Sequence, residues 1–346
     1  MRAAVYHGPG DVRLESVPDP EICEPTDVIV RVTRAAICGT DLHLYRGDWS
    51  RPAGFVIGHE FTGVVEAVGD QVADYMAGDR VVGPYMTTCL RCLACRQSRF
   101  ISCERGQFFG FGQLGGGAAE FVHVPLADTT LELLPPELND DDAIFLSDNF
   151  CCGYMSAENG EVRPGDRVAI FGCGPVGLLT LLSARLMGAS LVIGVDPVPE
   201  RLALVERLGG VPVPAGDEAI GAIRSLTNRR GVEVAIETCG AASRPDPEAT
   251  LRGAIEAVAR DGRLSIAGFF ADHEPSLPLA RLAAKRLTVR FGMCHQKHYL
   301  KDHVPLLARG AVRPSQVVSH TIDLADVADA YRLAAERRTV KVLLTP

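Results

Sequence analysis

Arg167-Val168-Ala169-Ile170-Phe171-Gly172-Cys173-Gly174-Pro175-Val176-Gly177 is the stretch that decides the fold. Its first five residues read as a short buried strand, and the run Val176–Met187 has the length and composition of a helix. Between them lies Gly172-x-Gly174-x-x-Gly177, glycines that permit a tight turn and let a pyrophosphate reach a helix N-terminus opened by Pro175 and Val176. The alternation continues outward. Leu191–Val195, Val232–Glu237 and Leu264–Ala267 read as strands, with helices over Glu200–Leu208 and Leu251–Ala259. Strands and helices alternating at this spacing predict a parallel, doubly wound sheet. Asp196 closes the second strand nineteen residues after Gly177. A carboxylate there accepts from adenosine ribose hydroxyls and repels a 2′-phosphate, which favours NAD over NADP. The competing reading of Asp196 is a turn residue before Pro197. Arg201 either flanks the adenosine or is a solvated helix arginine.

The texture on either side of this α/β stretch is different. The first 150 or so residues are β-rich, with strands expected at Val28–Val32, Thr62–Val68 and Ala119–Val124 and turns at Gly69-Asp70 and Gly78-Asp79. Past Met293 the pattern is mixed and closes on the strand-like Lys341–Thr345. The division expected is a β-rich domain over 1–150, a dinucleotide domain over 151–293, and a return of 294–346 to the first.

Bulk properties limit the function. With 346 residues, 47% hydrophobic and 23% charged, the chain has apolar content for two cores. A formal net charge of -8 argues against nucleic acid or an anionic membrane as partner. The N-terminal segment lacks the apolar core of a signal peptide, and no run reaches membrane-spanning length. A cytoplasmic protein with a small-molecule substrate is expected. In that compartment eleven cysteines point to metal binding or catalysis before disulfides.

Four of them form Cys89-x2-Cys92-x2-Cys95-x7-Cys103, soft ligands within fifteen residues, in a lobe spanning 89–103. Zinc takes four thiolates tetrahedrally, and such a closed site has no open position, so its role is structural. An Fe–S cluster is the chemical rival. Two further segments carry ligand chemistry: Ile37-Cys38-Gly39-Thr40-Asp41-Leu42-His43 and Gly58-His59-Glu60.

Together with the glycine turn, the cysteine lobe and the closing strand, these motifs resemble the zinc-dependent medium-chain alcohol dehydrogenase family over essentially the whole chain. The resemblance implies a β-rich GroES-like catalytic domain joined to a Rossmann domain, two zincs per chain, NAD, and a homodimer or homotetramer. It places Cys38 and His59 as catalytic zinc ligands and Asp148, in Leu146-Ser147-Asp148-Asn149-Phe150-Cys151-Cys152, as the third, with Cys151 or Cys152 as alternatives. Aspartate at that position, and the stretch PLADTT over 125–130, resemble the formaldehyde-dehydrogenase-related branch.

The chemistry implied is hydride transfer between an alcohol, or its aldehyde or ketone, and the nicotinamide. Three protein ligands leave one position for water or substrate, whose hydroxyl becomes easier to ionise. Thr40 and His43 resemble a proton relay, Asp41 the acceptor orienting His59, and Glu60 a residue that helps exchange the fourth ligand. Simpler readings are a helix N-cap for Thr40 and a first-turn carboxylate for Asp41. Lys341 resembles a basic residue that contacts the pyrophosphate and Glu60. Gly39, where some members carry a basic residue, and Cys152, where a threonine is common, depart from the pattern. His295 and His298 either touch substrate or are plain core and surface residues. Trp49, Phe109 and Met293 are candidate pocket residues. Formaldehyde or aldehyde oxidation or dismutation is the alternative activity, and a non-catalytic zinc- and dinucleotide-binding scaffold the alternative of another class.

Overall fold

The computed structural model describes residues 1–243 and 245–346. The chain forms two compact units, Met1–Cys151 with His295–Pro346, and Cys152–Cys294.

The second unit is built outward from the glycine turn. Strand Arg167–Phe171 leads into helix Pro175–Leu186, one residue earlier at each end than its apolar run suggests, because Pro175 suits the first helical turn. Six strands pair in parallel in the order 211–214, 191–196, 167–171, 232–237, 258–266, 288–291. The order reverses beside Arg167–Phe171, the crevice where doubly wound sheets bind ligands at the carboxyl ends of their strands. Ala169, Phe171, Ile193, Val195, Ala235 and Leu264 make the sheet's contribution to one apolar core. The larger of these, Phe171, Ile193, Val195 and Leu264, are each worth roughly 1.5–3 kcal/mol when buried. At the turn Gly172 has φ +97°, and a Cβ on Gly177 would lie 1.9 Å from the Gly172 carbonyl oxygen, so both positions require glycine. Thr238 Oγ1 donates to that same carbonyl at 2.6 Å and fixes the turn.

The first unit holds a seven-stranded sheet with the path 318–323, 341–345, 28–37, 60–68, 80–83, 132–133, in which strand Phe121–Val124 also pairs with Val28–Ile37. A three-stranded sheet of Asp11–Ser16, Arg2–Gly8 and Phe55–Val56 accompanies it. The expected strand at Val28–Val32 runs on to Ile37, and that at Thr62–Val68 begins at Glu60. Ala35, Ala36 and Ile37 in the first extension and Glu60 and Phe61 in the second are buried. The expected strand at Ala119 starts only at Phe121, since Ala119 makes a single bridge to Ala3. No helix is long and apolar enough to cross a membrane among the described residues.

Candidate active site

Ladder register assembles the site. On the central strand Val28–Ile37, Ala36 lies opposite Glu60 on one neighbour and Ile37 lies opposite Val342 on the other. Cys38, His59, Glu60 and Lys341 therefore converge at one end of the sheet although they span three hundred residues. Helix Gly39–Arg46 starts there, and Cys38 is its N-cap: Asp41 Oδ2 accepts from the Cys38 amide at 2.9 Å. Thr40, the expected alternative cap, sits inside the helix, its Oγ1 3.8 Å from Cys38 Sγ.

Asp148 enters from the segment before the helix that begins at Asn149. Its Oδ2 lies 3.3 Å from Cys38 Sγ and 3.6 Å from His59 Nε2. Metal-bonding atoms of Cys38, His59, Glu60 and Asp148 all fall within 4.8 Å of one another, and all four residues are buried. Around a tetrahedral zinc with bonds of about 2.0–2.3 Å, neighbouring donors stand roughly 3.3–3.8 Å apart. The sulfur, imidazole and carboxylate fit that geometry. Cys151, the alternative ligand, instead places its thiol 3.5 Å from the Leu146 carbonyl and 3.6 Å from His303 Nδ1. Cys152 belongs to the other unit.

Charge balance points the same way. His59 Nδ1 meets Asp41 Oδ1 at 3.0 Å, which leaves Nε2 facing Asp148. Burial opposes charge on this imidazole, but Asp41 and Cys38 outweigh it and hold the pKa well above the usual value. Burial and Asp148 push the Cys38 thiol up. So many buried acidic groups require a cation. One is Lys341, 1% exposed, whose Nζ donates to both Glu60 oxygens at 2.7 Å, to the Ile37 carbonyl at 3.1 Å and to Asn149 Oδ1 at 2.7 Å. The expected contact of Lys341 with Glu60 is present, and these buried acceptors compete for all three ammonium hydrogens. A divalent ion among Cys38, His59 and Asp148 would balance the thiolate and the carboxylate that hold it.

Aromatic rings wall the site. Phe111 lies 5.0 Å from the His59 ring and 5.1 Å from Trp49, and Tyr85 stands edge-on to His59 at 6.3 Å. Phe109, expected here, is a core residue packed edge-on against Phe61, while Met293 is exposed in the other unit. Tyr85, Phe111, Asn149 and Gln296 carry no sequence signal of their own, though Asn149 adjoins Asp148. His43 is buried beside Asp48, Nδ1 to Oδ2 3.3 Å. His295 is buried beside Tyr85 and Phe100, and His298 packs edge-on to Tyr299.

The cysteine lobe forms a second donor group. Sγ of Cys89 is 3.5 Å from that of Cys103 and 4.0 Å from that of Cys95, far beyond a disulfide bond and matching one tetrahedral ion of about 3.8 Å edge. Backbone amides of Cys89, Cys92 and Cys95 point at sulfurs within 3.5 Å. Burial raises the Cys89 thiol, yet the amides of Arg91 and Cys92 prevail and hold it at about 6.

In the nucleotide unit, Asp196 is 2% exposed; its Oδ2 accepts from the Cys173 amide at 2.7 Å and its Oδ1 from that of Val198 at 2.9 Å. Arg201 reaches the same carboxylate at 3.5 Å. Gly174 caps helix Pro175–Leu186 with no side chain, leaving its first turn open to an anion.

A doubly wound nucleotide unit and a β-rich unit with two zinc-type donor groups define a zinc-dependent dehydrogenase. Residues 24–135 match the alcohol dehydrogenase GroES-like domain, and residues 175–309 the zinc-binding dehydrogenase domain. Among solved structures, alcohol dehydrogenase TADH from Thermus sp. ATN1 is 39% identical with a TM-score of 0.92, covering 100% of this chain and 99% of that one. Alcohol dehydrogenase of Cupriavidus necator is 30% identical over 100% of this chain and 99% of its own. Sorbitol dehydrogenase of Bacillus subtilis is 30% identical over 100% of this chain and 97% of its own. The chain belongs to the zinc-dependent medium-chain alcohol dehydrogenase family. It is an oxidoreductase of small-molecule alcohols using a nicotinamide cofactor, which sets aside the scaffold reading.

Proposed function

We propose that the protein oxidises a primary or secondary alcohol with NAD, or reduces the corresponding carbonyl, at Cys38, His59 and Asp148. The observation that carries this is the convergence of those three side chains, from three separate segments, on one zinc-sized space. Zinc held there supplies Lewis-acid polarisation of the substrate oxygen, and the dinucleotide supplies the hydride acceptor. Asp41 fixes the tautomer of His59 so that Nε2 faces the metal position. Lys341 holds Glu60 beside the ligands, poised for ligand exchange. Thr40, next to Cys38, takes the hydroxyl proton; His43, one turn along the helix and paired with Asp48, passes it outward. In the other unit Gly172, Gly174, Pro175, Val176 and Gly177 receive the pyrophosphate, with Asp196 and Arg201 at the adenosine ribose. Cys89, Cys92, Cys95 and Cys103 hold a structural zinc. A homodimer or homotetramer is supported by the outer strand Thr288–Phe291, where Phe291 is 71% exposed.

The test is NADH formation across a panel of alcohols, repeated with NADP. Activity with secondary or primary alcohols and a preference for NAD are expected, with two zincs per chain by metal analysis. Turnover that survives removal of all metal would overturn the reading. Asp148 keeps a second activity in the panel, formaldehyde oxidation or dismutation, because a carboxylate third ligand is the feature it shares with that branch.

A further inference from the structure

Asp148 offers two oxygens, and each is held by a carboxamide. Oδ2, the oxygen facing Cys38 and His59, accepts from Asn149 Nδ2 at 2.8 Å. Oδ1 accepts from Gln296 Nε2 at 2.9 Å. Gln296 is fully buried and opens a short 3-10 turn, Gln296–His298, whose start is tied down where His295 Nδ1 accepts from the Lys297 amide at 3.2 Å. The Tyr299 amide donates to the Gln296 carbonyl at 2.7 Å, so the backbone behind the side chain is fixed as well. Chain order makes the contact notable. The first unit ends its N-terminal portion at Cys151 and resumes at His295, and Asp148–Gln296 joins those two segments within it.

We propose that Gln296 is a positioning residue for the catalytic metal: it holds Asp148 Oδ1 aside so that Oδ2 alone serves as ligand, and it makes position 148 select a carboxylate over a thiolate. The inference rests on Asp148 being a metal ligand. A carboxylate left free would rotate, or bind through both oxygens, and ordering it would oppose metal binding. A buried N–H donor orders it beforehand. The donor's neutrality matters too. A lysine or arginine at 296 would cancel the carboxylate charge, whereas a carboxamide leaves it for the cation. With one thiolate, one carboxylate and a neutral imidazole, a divalent ion then closes the charge balance. A thiolate at 148 is a poor acceptor and would weaken the donation from Gln296 that the carboxylate now accepts at 2.9 Å, whereas Asn149 Nδ2 would keep Glu60 Oε1 at 3.1 Å.

The test measures zinc affinity site by site, by competition with a chromophoric chelator, in the full-length protein. Gln296→Met keeps the volume and removes the donor. Its catalytic zinc should bind about 10–100-fold more weakly, the usual cost of losing such an outer partner, while the lobe zinc is unchanged. Asp148→Cys should bind catalytic zinc weakly, and adding Gln296→Met to it should restore part of the affinity. The thermal midpoint of the metal-free proteins is read alongside. The proposal is overturned if Gln296→Met binds catalytic zinc like the parent, if both zincs weaken together as the metal-free midpoint falls, or if the double variant is no better than Asp148→Cys. Asp148→Ala separates the premise from the inference. Loss of catalytic zinc there with normal affinity in Gln296→Met removes only the role of Gln296, whereas retention removes the ligand reading and this proposal with it.

Discussion

The cysteine lobe and the catalytic cluster are both sets of four metal-type donors, yet they are assembled in opposite ways. Cys89, Cys92, Cys95 and Cys103 lie within one short segment, and local turns with backbone amides aimed at sulfur suffice to converge them. Cys38, His59, Glu60 and Asp148 meet only through the register of a sheet and the placing of a helix start. The first group needs little beyond its own chain; the second needs the whole unit. A local site can therefore be rigid and closed, whereas a dispersed one can hold side chains that are not donors, such as Thr40 and Phe111, beside its ligands.

The contrast can be broken most sharply at Asp148. Asp148→Ala should lower turnover by at least about 10³-fold, in line with loss of several kcal/mol of charge stabilisation, while one zinc per chain remains in the lobe. Retention of both zincs would show that the dispersed site does not depend on its third segment. Lys341→Met is the next largest effect. It strands Glu60 as a buried carboxylate and should cost about 3–5 kcal/mol in urea unfolding, with the lobe zinc kept. Cys103→Ser should release the lobe zinc and lower the thermal midpoint by roughly 10 °C, taking about 3 kcal/mol at 2–4 °C per kcal/mol. Catalytic zinc should stay bound and kcat/KM of the folded fraction should change little. A parallel loss of catalytic zinc would mean that the two sites are not independent.

An effect confined to acid pH concerns His303, stacked on Tyr299 with ring centroids 5.2 Å apart and held by burial at about 4. The unfolded chain protonates this imidazole near 6.5 and the folded chain only near 4. Its contribution is thus complete above pH 6.5 and is lost as pH falls through that window, with a slope approaching about 1.4 kcal/mol per pH unit. His303→Leu should flatten the stability profile between pH 6.5 and 4 with no change in slope above it. An unaltered profile would assign the acid sensitivity elsewhere.

Sequence legibility follows the same division. The glycine turn and the cysteine lobe are readable because the residues that act together are near one another, so spacing carries the information. Cys38, His59 and Asp148 were accessible only through family resemblance, since nothing in their separation predicts contact. Asn149 and Gln296 escaped that route too. Carboxamides are chemically inconspicuous, and the bond from Gln296 to Asp148 spans 148 residues. Thr40 is the cap that sequence favours because hydroxyl side chains usually fill that role; Cys38 holds it instead, with Asp41 closing the box. Phe109 and Phe111 are indistinguishable in composition. The turn at Gly110, where φ is +72°, separates them, so that one enters the core against Phe61 and the other meets the His59 ring.

The grip of Lys341 on Glu60 has a consequence in time. The two residues are 281 positions apart, so at synthesis rates of about 5–20 residues per second Glu60 emerges from the ribosome roughly 14–56 s before its counter-charge exists. Residues 152–294 and the cysteine lobe are complete well before that. On a translating ribosome the nucleotide fold and the lobe metal should therefore precede the reactive centre. Nascent chains arrested before Lys341 and chased with radioactive zinc should accordingly carry one ion, and the second should arrive only once Lys341 has been added and has left the ribosome.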